Sequence, residues 1–260
     1  MRAGRPLEPQ HERLIERANT RFSSDPDVVA LLVAGSIAHG YARPDSDVDV
    51  IVLVATERPE RTFASADLAD YDGGYLDAKL VTRTFVEEVA ERGSEPARWA
   101  FKDALVVFSH DPELPALVER ATRFPDEGRD ERLRTFLRYL LIHVWFMGEA
   151  DKRGDRYLAT YAAQRVCLFA GRAILAHNRM LYPFHKWFLR ELAQAPDRPD
   201  GLLEAIDLVL VRPTQANAER LASSVTDFCG IDVSGQGVAE EFLELTEWAW
   251  RRGAAAPEDW

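Results

Sequence analysis

Gly35-Ser36 and the pair Asp47 and Asp49 are the residues of this chain whose types and spacing best suit chemistry. The two acids stand in the run Pro44-Asp45-Ser46-Asp47-Val48-Asp49-Val50-Ile51-Val52-Leu53-Val54. Side chains alternate along a strand, so Asp47, Asp49 and Ile51 point one way while Val48, Val50 and Val52 form an apolar backing. Carboxylates held this close repel, and a hard divalent cation such as Mg²⁺ relieves the repulsion with the oxygen ligands it prefers. An Asp-x-Asp by itself also fits an acidic strand end facing water. The preceding run Val28-Val29-Ala30-Leu31-Leu32-Val33-Ala34-Gly35-Ser36-Ile37-Ala38-His39-Gly40 argues for more. An apolar strand there ends in Gly-Ser and enters a helix-compatible stretch, leaving outward N–H groups suited to an anionic phosphate. Gly35 lets backbone approach closely, and Ser36 adds a hydroxyl.

With both features in view, the chain resembles the nucleotidyltransferase superfamily that includes DNA polymerase β. Within it, the likeness is to the bacterial small-molecule (aminoglycoside/lincosamide-type) and toxin–antitoxin nucleotidyltransferases. The signature reads Gly35-Ser36-Ile37-Ala38-His39-Gly40, then Ser46-Asp47-Val48-Asp49, with a close match over residues 28–54 and a looser one over 75–110. The resemblance implies a third carboxylate on a later strand and directs attention to Tyr75-Leu76-Asp77-Ala78-Lys79-Leu80-Val81, where Asp77 fits, after a turn at Gly73-Gly74. The competing reading of Asp77 is the exposed face of an edge strand shared with Lys79. The resemblance further implies that Asp47 and Asp49 bridge two Mg²⁺ ions, that Asp77 completes the shell of one, and that Gly35, Ser36 and Ser46 hold the nucleotide. Two ions about 3.5–4 Å apart activate an incoming hydroxyl and stabilise the departing oxygen of an in-line displacement. The leaving group would be pyrophosphate, and positioning and electrostatics would carry most of the catalysis.

The elements that must position these residues follow from periodicity. The pattern predicts a helix near Glu8–Phe22, strands near 28–34, 48–54 and 75–81, helices near 84–92 and 96–103, and a strand at Ala104–Ser109. From Asp130 onward the spacing is helical: Leu133, Phe136, Leu137, Leu140, Leu141 and Val144 recur at steps of three and four, with similar faces at 157–178, 183–194, 200–211, 214–229 and 238–251. The expected fold is α+β: a mixed sheet with flanking helices in a catalytic domain over 1–124, then an all-α helical bundle for substrate binding over 125–260. The polar join Phe124–Asp130 is short, so the halves are expected to pack, with the substrates in the cleft between them. From the bundle, Lys186 and Arg172 are candidate nucleotide contacts, with Tyr161 and Arg165 as further candidates. Each also fits an ordinary packing or ion-pair role.

Charge limits the acceptor. With 43 acids against 32 bases the net charge is −11, and no basic stripe is visible, so long nucleic acid would be repelled. Glu87, Glu88, Glu91, Asp126, Glu127, Glu149 and Asp151 would favour a cationic small molecule, such as an aminoglycoside, if they line the cleft. Cys167 and Cys229 form no metal or redox motif, in keeping with a reducing cytoplasm. No signal peptide, membrane span, P-loop or dinucleotide fingerprint is visible, and Met1–Pro6 and Gly253–Trp260 read as frayed ends. The expectation is a cytoplasmic, metal-dependent enzyme that moves AMP from ATP to a hydroxyl of a small molecule. A protein-modifying enzyme of toxin–antitoxin type and a non-catalytic nucleotide sensor are the alternatives; retention of all three acids argues against the last. The general base and oligomeric state are left open.

Overall fold

The computed structural model of the chain describes residues 7–56, 62–65, 75–233, 237–251 and 253. The expected Gly73-Gly74 turn, Met1–Pro6 and 254–260 lie outside the described residues. The chain divides into two compact units, Met1–Arg123 and Phe124–Trp260.

In the first unit, α1 (Pro9–Ser23) starts with proline in its first turn and turns His11, Leu14, Ala18 and Phe22 inward at helical spacing. Then come β1 (Val28–Val33), the one-turn helix α2 (Gly35–Ala38), β2 (Val48–Val54), β3 (Thr62–Ser65), β4 (Leu76–Thr82), α3 (Arg83–Arg92), α4 (Glu95–Phe101), β5 (Leu105–Ser109) and α5 (Leu114–Ala121). The five strands form one mixed sheet in the order β3-β4-β2-β1-β5. β1 runs antiparallel to β2 and β5, β3 antiparallel to β4, and β2 parallel to β4. Thus β4 is not an edge strand, because β3 covers it. That four-residue strand and the eight-residue α5 are absent from the sequence reading; both are too short for periodicity to stand out.

Both faces of β2 are used, as the continuous apolar run requires. Val48, Val50, Val52 and Val54 join Leu14, Ala18 and Phe22 of α1 in one core layer. Ile51 and Leu53 join Val86, Val89, Phe101, Leu114 and Leu117 in the other. Asp49 belongs to this second face, one two-residue step before Ile51.

The second unit is helical: α6 (Arg129–Arg153), α7 (Arg156–His177), α8 (Phe188–Leu192), α9 (Leu202–Val211), α10 (Gln215–Cys229) and α11 (Val238–Leu245). α7 is its central helix, buried nearly all round from Ala162 to Ala176. Small residues let neighbours close on it: a Cβ at Gly171 would stand 2.2 Å from Phe188 Cζ. The single helix expected over 183–194 is broken. Proline precedes Phe184, whose φ of +65° interrupts the helix, and a 3-10 turn at His185–Trp187 leads into α8. Likewise the pattern at 238–251 splits after Leu245, with a separate 3-10 turn at Ala249–Arg251. Burial pushes the Cys167 thiol up to about 12. Among the described residues, no helix is long and apolar enough to cross a membrane.

Candidate active site

The end of β1 and the start of β2 are tied by a backbone bond, Ala34 N–H donating to Asp49 O at 2.9 Å. The next residue, Gly35, has φ +60°. A Cβ there would lie 2.0 Å from Asp49 Oδ2, so only glycine permits both the left-handed turn and this approach to the carboxylate. The turn then winds into α2, with Tyr41 N–H donating to Ser36 O at 2.7 Å. Ser36 is buried, and among the described residues its Oγ has no hydrogen-bond partner. A buried hydroxyl is seldom left so, and this one adjoins the turn expected to hold phosphate.

Parallel pairing brings the second strand into play. β2 and β4 align with Asp49 opposite Asp77, Ile51 opposite Lys79 and Leu53 opposite Val81. Register therefore sets two carboxylates side by side, on strands about 4.8 Å apart. Asp47 lies two residues before Asp49, where Val48 N–H donates to Tyr75 O at 3.0 Å. The three acids are half-buried.

Two neighbours complete the cluster, and neither was assigned a role from sequence. Lys79 Nζ stands 3.0 Å from both Asp49 Oδ1 and Asp77 Oδ2. Burial opposes its charge, but Asp49 and Asp77 outweigh that and hold the ammonium above the ordinary lysine value. Tyr75 hydrogen-bonds Asp47; the Asp47 charge, then burial, then Asp77 and Asp49 push its phenol upward. The signal for Lys79 was present: two residues beyond Asp77, it shares that face of the strand. Only the register shows that it also meets Asp49.

Among the described residues, no group of three or more His, Cys, Asp and Glu side chains is gathered as an ion would require. The sequence reading expected such a group in Asp47, Asp49 and Asp77; here Lys79 meets the need for positive charge between two of them. The donor chemistry of the pair Asp49 and Asp77 still suits a hard divalent cation, since both offer only oxygen and both already face the Lys79 ammonium.

The remaining candidates are placed as follows. Ser46 shapes the loop before β2: its Oγ accepts from Arg43 N–H at 2.9 Å, and His11 Nε2 meets its carbonyl at 3.2 Å. His39, inside the expected phosphate loop, is 4% exposed, stacks on Trp99 at 3.8 Å and pairs with Asp103 at 3.2 Å. Arg172 lies in the interior of the second unit, 1% exposed, over the rings of Tyr182 at 4.3 Å and Phe136 at 4.5 Å. Lys186 is exposed, 5.2 Å from the Trp187 ring, and Arg165 lies over Tyr161 at 5.2 Å.

No curated protein matches the chain. Among solved structures, a nucleotidyltransferase-like protein from Exiguobacterium sibiricum 255-15 aligns with 93% of this chain and 79% of its own, at 10% identity and a TM-score of 0.48. A family profile described as nucleotidyltransferase domain matches residues 12–99, the segment that holds the Gly35-Ser36 turn and all three acids. Over residues 12–99, about a third of the chain, this protein is similar to nucleotidyltransferase domains.

Proposed function

We propose that this domain transfers a nucleoside monophosphate, AMP from ATP, to a hydroxyl of a small molecule and releases pyrophosphate. The observation that carries the reading is the fit of Gly35 against Asp49, with Asp77 in register beside it. A turn suited to phosphate and paired carboxylates suited to cations are thereby pressed together, as nucleotidyl transfer needs. Gly35 and Ser36 hold the triphosphate, the orphan Ser36 Oγ finding a phosphate oxygen as partner. Ser46 supports the nucleotide side by holding the loop that delivers Asp47.

Asp47 and Asp49 would hold Mg²⁺, two ions in the full site, with Asp77 as a further ligand. When bound, the ions supply charge for an in-line displacement at the α-phosphorus. Lys79 then gives up its place between Asp49 and Asp77. The acceptor oxygen forms a bond to the α-phosphorus, and the bond to the bridging oxygen breaks. Pyrophosphate leaves with the electron pair, and the hydroxyl proton passes to solvent by way of a carboxylate of the trio. Lys186, exposed in the second unit, and Arg172, enclosed there by two rings, are given no part in this step.

Calorimetric titration of the four nucleoside triphosphates, with and without Mg²⁺, tests the reading in wild-type protein and Asp49→Asn. Metal-dependent binding of ATP, lost in the variant while the fold is kept, is the expected result. Equal binding and equal transfer in Asp49→Asn would refute a metal role for this carboxylate.

A further inference from the structure

The first unit contains a cavity of about 850 Å³ on the sheet face that carries Asp49. Its lining includes Ile51, Leu53 and Val81 on the sheet floor, Phe85 of α3, and Ala100 and Phe101 of α4. Lys79, whose ammonium bridges Asp49 and Asp77, belongs to its lining. Three alternate rungs of the β2–β4 ladder thus share one face: Asp49 with Asp77, Ile51 with Lys79, and Leu53 with Val81. At about 3.3 Å per residue, the floor begins roughly 7 Å from the carboxylates and reaches roughly 13 Å along the strand. Volume and length suit a small organic molecule lying end-on to the acids.

The charges in the wall are already engaged. Asp111 is paired with Arg83, and Glu88 with Arg92 at 2.8 Å. Of the seven acidic residues that suggested a cationic acceptor, only Glu88 lines this cavity. Among the described residues the wall acids Glu88 and Asp111 are thus ion-paired, Asp111 sharing Arg83 with Glu87 and Glu113, while Val81, Phe85 and Ala100 leave apolar surface open to a ligand. Phe85 leaves 39% of its surface exposed, an apolar cost that a ligand would relieve.

We propose that this cavity holds the body of the acceptor, a predominantly apolar small molecule whose hydroxyl extends past Lys79 to the carboxylates. The inference rests on the nucleotidyl-transfer reading and narrows its substrate class. The test uses 1-decanol as an apolar alcohol and kanamycin as a polycationic one, each titrated into the full chain alongside Mg²⁺·ATP. Saturable decanol binding is expected, weakened at least ten-fold by Ala100→Trp, which fills the space from an exposed helix position, and by Phe85→Ala, which strips a wall. Both variants should bind Mg²⁺·ATP like wild type, because neither residue belongs to the Gly-Ser turn or the acid cluster. Decanol binding unchanged in both variants, or kanamycin bound in its stead, would overturn the proposal. Competitive displacement of decanol by ATP would assign the cavity to the nucleoside and also overturn it. If decanol binds but no triphosphate does, it is the nucleotidyl-transfer reading that fails, and the acceptor role falls with it.

Discussion

Gly35→Ala separates the backbone cost of the turn from its collision with the carboxylate. An L-residue held at φ +60° costs about 1–2 kcal/mol. The added methyl would also stand 2.0 Å from Asp49 Oδ2, against 3.4 Å for ordinary contact, so the carboxylate must retreat by about 1.4 Å. Forcing Asp49 off its rotamer adds about 0.5–1.5 kcal/mol. Gly154 is the control, with φ +63° and nothing within 4 Å of the position a Cβ would take. Gly154→Ala should lose about 1–2 kcal/mol through backbone strain alone and leave nucleotide binding untouched. Gly35→Ala should lose about 1.5–3.5 kcal/mol, and a displacement of this size at a reacting group costs transfer roughly 100-fold. Denaturant unfolding, Mg²⁺·ATP calorimetry and a pyrophosphate-release assay on both variants provide the comparison. Wild-type nucleotide binding and turnover in Gly35→Ala would refute the idea that the Gly35–Asp49 contact builds the site.

Two further substitutions test the cluster. Ser36→Ala removes a buried hydroxyl that has no partner among the described residues, so stability should be unchanged or slightly raised, while triphosphate binding weakens about ten-fold, equivalent to about 1.4 kcal/mol; a stability loss with normal binding would make Ser36 purely structural. Lys79→Met keeps most of the stem but leaves Asp49 and Asp77 in register without their shared counter-charge. The variant should melt below wild type in EDTA and gain more from added Mg²⁺ than wild type does; equal gains in thermal shift would show that Lys79 and the ion do not share a place.

Much of this protein is legible in its sequence because the strongest signals there are local. Alternation along residues 48–54 put Asp47 and Asp49 on one face, and the β-branched run before Gly35 marked where a strand would end. Steps of three and four defined the long helices from Arg129 to Cys229, and α+β followed from where the period changes. Breaks at Phe184 and after Leu245 escaped that reading, since a φ value and a frayed amphipathic end leave little trace in periodicity. Register, close approach and cavities depend on residues far apart in the chain. Only the tertiary structure could decide that Lys79 reaches Asp49, thirty positions away, as well as Asp77. The same holds for Gly35, whose contact with Asp49 belongs to a sheet pairing, and for Arg172, whose side chain went to the bundle interior. Composition reported an excess of acid, but the fold decided which acids face one another, because Coulomb energy depends on separation and burial and a sequence states neither.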